Sequence, residues 1–65
     1  MYIVFKNSIS GERLGSIKGV DVDSLKTIGK VNVKGVQGEV EDFILHVDNL
    51  GVENHIECRV RVIEK

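Results

Sequence analysis

Side chains branched at Cβ constrain this chain more than any other feature. Eleven Val and seven Ile stand against four Leu and no Ala in 65 residues. Such side chains lose rotamer freedom in a helix and pack well on a pleated surface. A chain so composed is mostly sheet, not a helical bundle. Its length suits a single domain spanning 1–65. There is no Pro and no Trp, and the aromatics are Tyr2, Phe5 and Phe43. A core this small supplies roughly 3–5 kcal/mol unaided. The one thiol, Cys58, has no second cysteine to bridge to. Self-association is the remaining common remedy, so a homodimer or higher oligomer is expected.

One stretch departs from the strand pattern. In Gly38 to Val52 (GEVEDFILHVDNLGV), Val40, Phe43, Ile44, Val47 and Leu50 recur at i, i+3, i+4, i+7 and i+10. At about 100° per residue these form one apolar stripe, which predicts an amphipathic helix over about 39–50. Glu39, Glu41 and Asp42 fall in its first turn, where the helix dipole favours carboxylates, and Gly51 suits a left-handed C′ position. The competing reading makes 39–47 a strand, since Phe43, Leu45 and Val47 also alternate with Asp42, Ile44 and His46.

The rest of the chain reads as strands and turns. Met1 to Lys6 (MYIVFK) is apolar on both faces and suits a central strand. Glu12 to Val20 is a second strand, weakened by Gly15. Asp21 to Ile28 holds one helical turn, with Asp23 as N-cap, Leu25 and Ile28 inward, and Gly29 as its stop. Lys30 to Val36 (KVNVKGV) alternates as a third strand. His55 to Ile63 (HIECRVRVI) is a fourth, with Ile56, Cys58, Val60 and Val62 on one side and His55, Glu57, Arg59 and Arg61 on the other. The expected fold is α+β: an antiparallel sheet of about four strands in the order β-β-β-α-β, with the helix on one face. The alternative is an all-β small barrel.

Composition points to no catalytic chemistry. His46 and His55 are the only histidines. His55 and Cys58 stand three apart on a strand, so they project to opposite faces and do not pair as base and nucleophile. No spacing suits a zinc site, and no glycine-rich phosphate loop is present. We therefore expect no catalytic residue, no metal and no cofactor. No stretch nears the ~20 apolar residues of a membrane span. The N-terminus lacks a basic region leading into an apolar one, and a lone thiol suits a reducing compartment, so a cytoplasmic protein is expected.

Charge divides along the chain. Residues 1–36 carry six Lys/Arg against three Asp/Glu, or +3, and residues 37–65 carry three against seven, or −4. Leu45, ringed by Glu41 and Asp48 on the expected helix, would anchor a partner with a basic surface. One apolar pair of the first strand, Tyr2/Val4 or else Ile3/Phe5, would pack on a second copy. The leading expectation is a non-enzymatic protein that acts through protein contacts, such as a self-associating accessory or inhibitor of a phage or mobile element. The alternative is a nucleic-acid-binding module using Lys30, Lys34, Arg59 and Arg61 on the open face of the sheet.

Overall fold

The computed structural model describes residues 2–47 and 54–63. Five strands and one short helix follow one another as β1 (Tyr2–Asn7), β2 (Arg13–Lys18), α1 (Val22–Ile28), β3 (Lys30–Val33), β4 (Val36–His46) and β5 (His55–Val62). They form one sheet in the order β2-β1-β5-β4-β3. The fold is mostly β and fits the barrel alternative better than the α+β expectation. The sheet is mixed rather than antiparallel, because β1 and β5 run parallel while the other pairs are antiparallel.

The predicted helix over 39–50 is a strand as far as His46; Asp48 and Leu50 lie outside the described residues. A β-bulge explains the misleading spacing. Val40 faces Val60 and Asp42 faces Arg59, so Glu41 is an extra residue in β4. The extra residue puts Val40 and Phe43, three apart, on the same side of the sheet, which imitates a helical i, i+3 step. Beyond the bulge the strand alternates normally. Phe43 and Leu45 lie opposite Cys58 and Ile56, and Asp42, Ile44 and His46 opposite Arg59, Glu57 and His55. Leu45 is thus on the inner side of the sheet and not on a polar helix flank.

The expected third strand likewise divides at Lys34-Gly35. Both residues have positive φ, 52° and 89°, the geometry of a two-residue hairpin turn, and Asn32 Oδ1 accepts a hydrogen bond from the Gly35 amide at 2.9 Å. The helical turn after β2 forms as expected, with Gly29 closing it at φ 75°. Its N-cap is Asp21 and not Asp23, since Asp21 Oδ1 accepts from the Ser24 amide at 2.7 Å. That hydrogen bond holds the Asp21 carboxyl below its ordinary pKa. Leu25 turns inward and is buried, whereas Ile28 is 64% exposed. A helix of seven residues has room for little more than one such anchor.

Register lines the inner side with rows running across the strands. One row is Ile17–Ile3–Ile56–Leu45, and the next is Gly15–Phe5–Cys58–Phe43. Ile3, Phe5, Cys58 and Val60 form the buried centre with Leu25 of α1 laid over them. The outer strands β2 and β3 curl towards each other until a Cβ placed on Gly15 would lie 2.8 Å from Val33 Cγ1. The sheet is nearly closed into a barrel, and glycine at 15 permits that approach. No helix among the described residues is long and apolar enough to cross a membrane.

Candidate functional site: the open face of the sheet

The outer side of the sheet carries most of the polar chemistry, again in rows set by register. Lys18, Tyr2, His55 and His46 form the row at one end. Ser16, Val4, Glu57 and Ile44 form the second, and Arg13, Lys6, Arg59 and Asp42 the third. Beyond them Arg61, Glu39 and Lys30 stand side by side.

The first row is a stack of rings. Tyr2 and His55 lie 5.5 Å apart between centroids at 18°, and His55 and His46 lie 4.7 Å apart at 12°. Rings stacked on one another across strands cover each other's faces. Only the outer faces of Tyr2 and His46 remain for anything arriving from solvent, so the row is a poor platform for bases, which need open ring faces. Below it Glu57 Oε1 accepts from Lys6 Nζ at 3.2 Å and meets His46 Nε2 at 2.9 Å. Burial works to raise the Glu57 carboxyl, but the hydrogen bonds and charges of Lys6 and His46 together outweigh it. The group is held below its ordinary value of 4.5.

Two acids of the predicted helix, Glu39 and Asp42, lie in the sheet next to the arginines. Asp42 takes a two-pronged hydrogen bond from Arg59, Nε to Oδ1 at 2.7 Å and Nη2 to Oδ2 at 2.9 Å. That pairing raises the guanidinium pKa further and keeps Arg59 cationic. Glu39 sits between Arg61 and Lys30 in register. Of the four cations expected to contact nucleic acid, three therefore have acidic neighbours, and Lys34 lies apart in the β3–β4 turn. Glu41, expected at a protein interface, accepts from Ser8 Oγ at 2.8 Å. Tyr2 stands half-buried in the ring row, and Val4 is buried beside Glu57. No known protein family, curated protein or solved structure matches the chain.

Cys58 and His55 face opposite sides, as their spacing requires. Cys58 is wholly buried. Burial first, and the Asp42 carboxylate second, push its thiol from 9.0 to about 11. A thiolate is the reactive form, so native Cys58 should resist an aromatic disulfide reagent at pH 8 and react at once in denaturant. The unfolded thiol ionises near 9.0 and the folded one near 11. Its contribution to stability is therefore full below pH 9 and is lost as pH rises through 11, by about 2 kcal/mol at pH 11 itself. Denaturant melts at pH 8 and pH 11 should show that difference in the wild type and a smaller one in Cys58→Val.

Two further clefts were not legible as clusters in the sequence. One, about 430 Å³, lies between α1 and the bulge and is lined by Lys26, Gly29, Val40, Glu41, Asp42 and Phe43, with Lys26 Nζ 5.9 Å above the Phe43 ring. The other lies where β2 approaches the β3–β4 turn. The one available signal was Lys34-Gly35, flanked by alternating valines, which marks a two-residue hairpin. Among the described residues, no three His, Cys, Asp or Glu side chains gather in a way that would hold a metal.

Proposed function

We propose that this is a non-enzymatic cytoplasmic protein that acts through protein contacts and associates with itself at the end of the sheet where β4 leaves it. The observation that carries the reading is the exposure of two large aliphatic side chains there: Leu45 at 57% and Val47 at 66%. Single exposed aliphatics are ordinary, but neighbouring ones mark a contact surface. Leu45 also continues the inner row Ile17–Ile3–Ile56 past the reach of the short helix. A second copy laid against it would extend a core that contains few fully buried side chains.

Light scattering across a dilution series tests this. A dimer or larger assembly is expected at high concentration, and Leu45→Asp should shift it to monomer while leaving the sheet's circular dichroism unchanged. A wild type that is monomeric at every concentration refutes self-association. Retention on single-stranded DNA that falls with salt and is lost in Arg59→Glu/Arg61→Glu would replace this reading with nucleic-acid binding.

A further inference from the structure

We propose that the cleft between β2 and the β3–β4 turn binds a phosphate-type oxyanion. The cleft is about 340 Å³ and is lined by Arg13, Leu14, Gly15, Ser16 and Lys34. Two of the five lining residues are cationic, one is a hydroxyl, and none is acidic. This sets it apart from the rest of the open face, where Arg59 and Lys6 are held by carboxylates.

The backbone supplies the second part of the site. β2 and β3 are the two edges of the sheet, and no backbone hydrogen bond among the described residues joins one to the other. An edge strand keeps a row of peptide N–H groups without strand partners. The β2 edge presents such a row beside Arg13 and Ser16. Donors of this kind, next to a guanidinium and an ammonium, suit the several acceptor oxygens of a phosphate group. Arg13 Nη2 already reaches Ser16 Oγ at 3.4 Å, so the guanidinium and the hydroxyl are at one place.

The third observation is the conformation of Lys34. It is the only non-glycine residue with positive φ among the described residues, at 52°. A left-handed conformation disfavours lysine, and Asn or Gly is the usual residue at the first position of such a turn. A strained residue at a defined place points to a use for its side chain. Here Lys34 lines a cleft that otherwise holds one cation, and the turn is fixed by the Asn32–Gly35 hydrogen bond. The site does not depend on self-association at the far end of β4.

The conformation also separates binding from folding in the test. Amide spectra of the full chain are recorded while inorganic phosphate is added. Saturable shifts are expected at residues 13–16 and 34–36. Lys34→Asn should melt at the same or a higher temperature, because Asn accepts the left-handed turn, yet bind phosphate about tenfold more weakly through loss of one charge-assisted contact. Arg13→Gln should weaken binding by a similar factor. Unsaturable shifts spread over all the lysines, or phosphate binding that is unchanged in both variants, would overturn the proposal. A thymidine oligonucleotide titrated in parallel identifies the carrier. Tighter binding at the same amides places the phosphate on a nucleic acid, and its absence beside retained phosphate binding places it on a small molecule.

Discussion

Gly38→Ala is expected to destabilise the protein by about 3 kcal/mol, near the top of the range for overpacking a core. Gly38 is buried on β4 between Val31 and Val62 in register. A Cβ there would lie 2.2 Å from Val60 Cγ1 and 2.9 Å from the carbonyl oxygen of Arg61. The first contact involves a side chain that is only 1% exposed and has no free space to turn into, and the second involves backbone. Neither neighbour yields cheaply. Urea melts of Gly38→Ala, Val60→Ala and the double variant form a cycle that isolates the contact. The double variant should be more stable than the sum of the single losses predicts, by about 1 kcal/mol or more. Strict additivity would mean that β4 does not pass over Val60.

The second large effect is expected at Phe5. Its ring lies in the buried row between Gly15 and Cys58, with Val60 and Leu25 in the same cluster. Removing a buried aromatic ring typically costs about 3–5 kcal/mol, which matches what a core of this size supplies in total. Phe5→Ala should therefore be largely unfolded at 25 °C, with collapsed amide dispersion in the proton spectrum. Ile28→Ala removes a side chain that the structure leaves mostly in solvent, and it should shift stability by less than about 0.5 kcal/mol. A folded Phe5→Ala, or an unfolded Ile28→Ala, would mean that the core is centred elsewhere.

How much of this was legible in the sequence varies with how local the deciding physics is. β5 reads correctly from its alternation alone, because both its neighbours are strands and its inner residues, Cys58 and Val60, are wholly buried. The place of β1 inside the sheet follows from its being apolar on both sides. The turn at Gly29 is visible because a helix stop needs a left-handed residue. The parallel pairing of β1 with β5 has no local signature, since it joins segments more than fifty positions apart. β4 was misread because its bulge is a property of the paired strands. Only the partner's register reveals that Glu41 is extra. The extended strand sets Glu39 beside Arg61, and the extra residue turns Asp42 to the side of Arg59, which together decide the electrostatics of the open face.

The ring row shows the same limit. Tyr2, His46 and His55 are spread along the sequence and share no spacing rule. They meet because β1, β5 and β4 are adjacent and start or end at one level of the sheet. The seam cleft is likewise made by curvature, which brings Arg13 and Lys34 together from the two edges.

The inner rows, the ion pairs of the open face and the exposed end at Leu45 all depend on β4 being an extended strand paired with β5. Carbon chemical shifts of the backbone and Cβ across Val36–His46 test that directly. The account predicts strand-type shifts throughout that span, interrupted only at the bulge around Glu41. A continuous run of helical shifts from Glu39 to His46 would contradict it.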